Sequence, residues 1–215
     1  MDKPITQPSP PFILSTKTAF NQVAALVGRV TKRGMDIFAA LLALVLLSPV
    51  FAIVAVLIKR DSPGPVFYRG CRVGRNGREF AILKFRTMKE CPESYRGPRV
   101  TAQDDPRITR FGRRLRRAKI NELPQLWNVL KGEMSLVGPR PFLPEQAKMY
   151  GRVLDLYVQV RPGITGLWQV NGRNRLSFQQ RVDCDLAYFE SWSLLLDISI
   201  LVRTPLAVLS QRGAY

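Results

Sequence analysis

Histidine is absent from the 215 residues, which removes imidazole-based catalytic triads and histidine-ligated metal centres. Acid–base chemistry must come from carboxylates, Lys, Tyr or Cys. Cysteine is scarce: Cys71, Cys91 and Cys184 are odd in number and form no CxxC pair. That argues against a disulfide framework or a zinc site and fits a reducing, cytoplasm-facing setting. Acidic residues are also few, 16 Asp and Glu against 33 Lys and Arg, leaving a net charge of +17. An excess of this size goes beyond what solubility requires and points to an anionic partner: nucleic acid, a phospholipid surface or a phosphorylated substrate. No internal repeat is visible, and no small-residue cleavage site follows a short apolar core, so no signal peptide is expected. The length suits one domain, or a smaller domain with a membrane element.

The opening residues 1–12 carry Pro4, Pro8, Pro10 and Pro11 among few apolar neighbours, and residues 1–30 read as a flexible leader. From Ile37 to Ile58 the run "IFAALLALVLLSPVFAIVAVLI" holds 22 residues without a charge, enough to cross a hydrocarbon core at about 1.5 Å per residue. Lys32 and Arg33 precede the run and Lys59 and Arg60 follow it, so neither end has a reason to translocate. Midway, Pro49 removes a backbone donor, and Ser48 can satisfy the carbonyl this frees. Together these favour a re-entrant hairpin over residues 31–60, bent at Ser48-Pro49, ahead of a straight crossing or a buried soluble helix. Asp36 is expected to pair with Arg33 one turn back.

Residues 61–215 have the composition of a polar domain. Two strand-like runs flank Arg75-Asn76-Gly77-Arg78, and Asn-Gly is the strongest short hairpin signal. The stretch 89–107 reads as a loop, in which Asp104-Asp105 before Pro106 is a turn signal that could also chelate a cation. Residues 121–131 read as a helix with Asn121 as N-cap, Pro124 in its first turn, Gly132 as C′, and Leu123, Leu126, Trp127 and Leu130 on one face. Residues 160–174 are turn-rich. The C-terminal "WSLLLDISILVRTPLAVL" reads as an apolar helix interrupted near Pro205 and suited to the headgroup layer. The fold class expected is α+β: a re-entrant membrane helix hairpin joined to a small, mostly helical domain with a β-hairpin and interfacial amphipathic helices.

Glu122 follows the run "RRLRR" and, behind an asparagine cap, would sit at the positive end of a helix, where anions are favoured. The plain alternative is that it complements the helix dipole and nothing more. In "GEMSLVGPRP" two prolines, Pro139 and Pro141, stiffen a loop around Arg140, and a guanidinium held that way suits bidentate phosphate recognition. Arg161 before Pro162-Gly163 and Arg173 after Asn171-Gly172 repeat the theme of arginine in turns. Lys84 and Arg86 alternate with Leu83 and Phe85, which places both cations on one face of a strand, toward phosphate or toward solvent.

The segments "TKRGMDIFAALLALVLLSPVFAIVAVLIKRDSPGPVFY", "GRNGREFAILKFRTM", "NELPQLWNVLKGEMSLVGPRP" and "RPGITGLWQVNGR" together resemble the monotopic phosphoglycosyl transferases, over residues 31–205 and in family order. The resemblance implies a bacterial inner-membrane enzyme with its catalytic domain, residues 61–215, on the cytoplasmic face. It would move a sugar 1-phosphate from a UDP-sugar onto undecaprenyl phosphate, releasing UMP, with Mg²⁺. Implied partners are those two substrates and the lipid bilayer, with no nucleic acid, and a homodimer is compatible with it. The family's catalytic Asp-Glu pair falls on Asn121 and Glu122, so the metal-meeting nucleophilic position is an amide here. Its basic residue before the pair falls on Arg116, its Pro-Arg-Pro motif on Pro139, Arg140 and Pro141, and its last arginine on Arg173. The change at 121 leaves three routes: chemistry through Glu122, an impaired relative that retains binding, or another nucleophile. A membrane-attached basic binding module is the rival class.

Overall fold

The computed structural model describes residues 16–90 and 105–210. The first helix, α1, spans Thr16–Leu46, so residues 16–30 of the expected leader are helical; the rest of that leader lies outside the described residues. α2 follows at Ser48–Asp61, bent by 60° from α1. The break has a local cause. Pro49 has no N–H for the carbonyl of Val45, and the Ser48 hydroxyl donates to that carbonyl at 2.8 Å. Among the described residues no single helix is long and apolar enough to cross a membrane; the bent pair is, by length and composition.

Three side chains at the base of the apolar run of α1 tie it to the domain. Lys32 donates to Asp197 at 2.6 Å and to the Val137 carbonyl at 3.0 Å. Arg33 donates to the Val129 and Leu130 carbonyls at 2.7 and 3.1 Å. Asp36 accepts from the Leu136 amide at 3.0 Å. The expected Asp36–Arg33 pair is therefore not formed. Both residues are claimed by open backbone groups, which the interior cannot leave unpaired.

Strands β1 (Phe67–Val73) and β2 (Glu79–Phe85) pair antiparallel, with Phe67 opposite Phe85 and Val73 opposite Glu79. Asn76 and Gly77 at the turn take φ of 60° and 69°, the left-handed pair that Asn-Gly supplies at low cost. Next come α3 (Arg110–Arg117), capped by Thr109 accepting from the Gly112 amide at 2.9 Å, and a 3₁₀ turn at Ile120–Glu122. α4 is Gln125–Lys131, closed by Gly132 at φ 83°. The expected cap is corrected here: Asn121 does not cap α4, which begins after Pro124 with no side-chain cap, and Asn121 is buried in the 3₁₀ turn. Trp127 also departs from the expected apolar face and is exposed, while Leu126 is buried.

Strand β3 (Ser135–Val137) pairs parallel with β4 (Gly163–Thr165), Ser135 opposite Gly163 and Val137 opposite Thr165. Single-turn helices α5 (Ala147–Tyr150) and α6 (Leu154–Tyr157) lie between them. The turn-rich 160–174 segment thus contains β4 and the short helix α7 (Leu167–Asn171). α8 (Phe178–Ser191) starts at a Ser177/Gln180 capping box. α9 (Leu194–Leu209) continues through Pro205 rather than breaking there, with Thr204 Oγ1 donating to the Ile200 carbonyl at 2.7 Å.

Three apolar clusters hold these pieces. Ala40 of α1 packs with Ile82, Leu126, Val129 and Met134; Val54 and Ile58 of α2 pack with Phe85 and Leu115; Val137 packs with Tyr188 and Ile200. Asn128 joins α4 to β2 as a neighbouring strand would: its Oδ1 accepts from the Leu83 amide at 2.9 Å and its Nδ2 donates to the Ala81 carbonyl at 2.8 Å. This joint sets Lys84, the next residue of β2, against the 3₁₀ turn.

Candidate active site

The site is built where β2, the 3₁₀ turn and the loop after β3 meet. Glu122 Oε1 accepts from Lys84 Nζ and from Arg140 Nη2, each at 2.9 Å, and Arg140 Nη1 lies 3.4 Å from Oε2. Burial works to raise the Glu122 carboxyl, but the Arg140 and Lys84 charges outweigh it and hold it well below the usual carboxylate range. For Lys84 burial wins over the pull of Glu122 and lowers the ammonium to about 8. Arg140 is pushed above its ordinary value by Glu122.

The loop that carries Arg140 is fixed by backbone pairing. The Gly138 amide donates to the Thr165 carbonyl at 2.9 Å, and the Pro139 carbonyl accepts from the Gly163 amide at 2.8 Å. Pro139 and Pro141 are buried, so they stiffen the loop from within. A side chain at Gly138 would meet the Arg161 carbonyl at 2.7 Å, which explains glycine at that close approach.

Further cations surround this centre. Lys119 is half-buried, holds a left-handed backbone at φ 59°, and feels the Glu122, Arg140, Arg173 and Arg116 charges; burial lowers its ammonium. Arg116 donates from Nε to Thr87 Oγ1 at 2.8 Å and is lowered by burial against the pull of Asp105 and Glu122. Arg173, at φ 55°, is lowered by burial against the pull of Glu122, and its Nη1 is sealed from solvent without a partner. Asn121 Oδ1 is likewise buried and unpartnered. The unpartnered donor Arg173 Nη1 and the surrounding cations suit an anionic, oxygen-rich ligand, while the unpartnered acceptor Asn121 Oδ1 suits a donor or a cation.

Of the residues singled out in the sequence, the structure gathers Asn121, Glu122, Lys84, Arg116, Arg140 and Arg173. It places Arg86 and Arg161 elsewhere. Arg86 is buried and donates to the Pro63 and Ser62 carbonyls at 2.5 and 2.6 Å, and Arg161 donates to the Gly132 carbonyl at 2.8 Å. Both are spent on main-chain oxygens. Asp105 is bound by Arg107, which holds its carboxyl down to about 2, and Asp104 lies outside the described residues.

Two site residues escaped the sequence reading. Arg72 feels both Arg140 and Glu122, and burial lowers its guanidinium. Alternation across the Asn-Gly turn could have found it, because Arg72 and Lys84 fall on the same face of the hairpin. Lys119 carried no periodic signal.

Among the described residues no three His, Cys, Asp or Glu side chains cluster as a ready-made metal site. The oxygen donors at hand are the orphan Asn121 Oδ1 and the Glu122 carboxylate. That set fits Mg²⁺ only in company with a diphosphate, which would supply the remaining oxygens and offset the surrounding positive charge.

The sequence profile described as bacterial sugar transferase matches residues 27–211. The chain is 41% identical over 221 residues to the exopolysaccharide production protein ExoY of Rhizobium meliloti, covering 96% of each. It is 43% identical over 194 residues to a UDP-glucose:undecaprenyl-phosphate glucose-1-phosphate transferase of Caulobacter vibrioides, covering 86% of this chain and 72% of that one. It is 40% identical over 209 residues to an undecaprenyl-phosphate galactose phosphotransferase of Salmonella typhimurium, covering 91% of this chain and 44% of that longer protein.

Proposed function

Because the chain belongs to the bacterial sugar transferase family, we propose that the cationic pocket around Glu122 moves a hexose 1-phosphate from a UDP-sugar to undecaprenyl phosphate, releasing UMP. One observation carries this reading. A single ionised carboxylate is pinned by Lys84 and Arg140, with Arg116, Lys119 and Arg173 around it and unpartnered polar atoms of Asn121 and Arg173 sealed beside it. A nucleotide diphosphate and a lipid phosphate repel one another, and a fixed positive field is what lets them approach.

The amide at Asn121 cannot serve as a nucleophile toward phosphorus. The reaction that suits this chain is a direct displacement. An oxygen of the lipid phosphate bonds to the β-phosphorus of the donor, the bond from that phosphorus to the bridging oxygen breaks, and UMP leaves with that oxygen. Arg140 and Arg173 hold the transferring phosphate, while Glu122 keeps Lys84 and Arg140 charged and oriented. Asn121 Oδ1 and Glu122 would hold a Mg²⁺ ion together with the diphosphate, and the bound ion would supply further charge neutralisation.

The membrane reading rests on the apolar surface. Phe38, Val45 and Leu46 of α1, Ile53 and Val56 of α2, and Leu195, Val202 and Leu206 of α9 are all exposed, far more apolar surface than a soluble monomer shows. With basic pairs on both sides of the apolar run 37–58, the hairpin returns to the cytoplasmic face it entered from.

The test is UMP release with undecaprenyl phosphate and a panel of UDP-sugars. Direct displacement requires UMP release only when the lipid phosphate is present, with no labelled sugar phosphate left on the protein. Asn121→Asp should add that covalent species and speed turnover. A chain silent until Asn121→Asp is made is a binding relative with impaired chemistry. Silence of both proteins with every UDP-sugar rejects the proposal.

A further inference from the structure

Next to Arg140 lies a group of aromatic rings that the chemistry around Glu122 leaves unused. Phe142, two residues past Arg140, is buried, and its carbonyl accepts from the Val73 amide at 3.0 Å. Its ring packs against Tyr150 of α5, centroids 4.7 Å apart, and edge-on to Tyr157 of α6 at 6.2 Å. Tyr150 and Tyr157 meet at 4.6 Å, and from α8 Phe178 reaches Tyr150 at 5.2 Å and Phe189 reaches Tyr157 at 5.4 Å. Single-turn helices such as α5 and α6 are not stable on their own hydrogen bonds, so their place is set by what these rings touch. Tyr150 is also close enough to Arg140 for the two to interact electrostatically, so the rings reach the Arg140 loop from two sides.

One polar contact ties this group to α8. Tyr157 Oη donates to Asp185 Oδ2 at 2.8 Å, and both side chains are buried. The ionisable groups facing Asp185 are Tyr157 from α6 and Tyr150 from α5, with Arg181, Asp183 and Cys184 beside it on α8; α7 brings no titratable side chain. The cation of that set, Arg181, lies over the Trp168 ring at 4.9 Å and donates to the Leu176 carbonyl at 3.1 Å. Burial pushes the Asp185 carboxyl up to about 7, against the pull of the Tyr157 hydroxyl. With its proton on, Asp185 is a neutral acceptor at the foot of the rings. Ionised, it is a buried charge among aromatic walls, which is costly to keep dry. Water relieves it by parting α6 from α8, and that draws Tyr157 away from Phe142 and Tyr150.

We propose that Asp185 is a positioning residue for Arg140: uncharged, it seats the ring group against the Arg140 loop through Tyr157, and ionised, it releases that group. This rests on the reading of Arg140 as a ligand of the donor phosphate.

The experiment is calorimetric titration of the full chain in lipid nanodiscs with UDP-glucose and UDP-galactose at pH 6 and pH 8, repeated for Asp185→Asn and Tyr157→Phe. The diphosphate of a UDP-sugar carries the same charge at both values, so a change in affinity belongs to the protein. The unaltered chain should bind about tenfold more weakly at pH 8, where only about a tenth of the molecules keep Asp185 neutral. Asp185→Asn still accepts from Tyr157 and cannot ionise, so its two affinities should agree within about twofold; Lys84 titrates alike in both proteins and divides out of the comparison. Tyr157→Phe removes the donor that favours the charged carboxyl, so its weakening should set in at higher pH and its ratio should shrink. Equal affinity of the unaltered chain at the two pH values overturns the inference, and this arm decides even if a variant fails to fold. An undiminished ratio in Asp185→Asn or in Tyr157→Phe also overturns it. Failure of the unaltered chain to bind either UDP-sugar at pH 6 overturns the donor-site reading and this inference with it.

Discussion

Replacing Glu122 with Gln keeps the shape of the side chain and removes the one charge that Lys84 and Arg140 share. The side chains of Lys84 and Glu122 are 15% and 12% exposed, and that of Arg140 is 36% exposed. Breaking a buried pair from one side costs about 3–5 kcal/mol because the remaining charge has no partner. The partial exposure of Arg140 lets water take part of its load, which puts the expected loss near the lower end, about 3 kcal/mol. For a chain of this length that is a fall in Tm of roughly 6–12 °C. The assay is tryptophan-fluorescence melting in nanodiscs, with Glu122→Gln, Lys84→Met and the double variant. The double variant should recover part of the loss, since it removes the stranded ammonium. pH gives an independent check. Lys84 is lowered by burial from 10.5 to about 8, so the unfolded chain holds more protons between those values, and the Lys84 contribution to stability rises with pH across that window. In Glu122→Gln, which loses the charge that holds the ammonium up, the rise should begin at lower pH. A Glu122→Gln protein that melts within 2 °C (roughly 0.5–1 kcal/mol) of the unaltered one, or strict additivity in the double variant, refutes the reasoning.

Asp185 accepts from Tyr157 at 2.8 Å and is pushed up to about 7 by burial, so between about 4 and 7 the folded chain holds the extra proton. Stability falls as pH rises through that window, by up to about 1.4 kcal/mol per unit, and Asp185→Asn should flatten the slope in pH-dependent melting. Gly138→Ala forces a methyl against the Arg161 carbonyl at 2.7 Å and the Gly163 amide at 3.0 Å; a stability loss of about 1–3 kcal/mol, read as a lower Tm, and weaker UDP-sugar binding are expected by melting and titration. Pro49→Leu returns a donor to the Val45 carbonyl and should straighten the α1–α2 bend, moving a cysteine label placed beyond Asp61 to the opposite side of a sealed vesicle in an accessibility assay.

The parts readable in the sequence were those governed by neighbouring residues. The β-hairpin followed from Asn76-Gly77, which adopts the left-handed backbone in the connecting loop, and the α1–α2 break followed from Pro49, which cannot donate. What was not readable depends on distant backbone. Arg86 and Lys84 look alike along the chain, but β2 ends at Phe85, and the carbonyls of Ser62 and Pro63 take Arg86 while Lys84 meets Glu122. Arg161 is taken by the Gly132 carbonyl in the same way. Asn121 had the right spacing for a cap, and the 3₁₀ turn ahead of Pro124 shifted the helix start past it. Four of the six cationic positions expected to bind phosphate nevertheless reached one place, because β2, α3, the 138–141 loop and the turn after α7 all converge on Glu122.

Lys32, Arg33 and Asp36 reach α9, α4 and β3 from a single turn and a half of α1. This exposed apolar helix is thus the keel on which the rest is laid, and a cut before the polar portion is expected to leave that portion without its frame. Removing it strips three unrelated elements of partners at one stroke, so the placing of the pocket relative to the apolar helix is written into the framework itself.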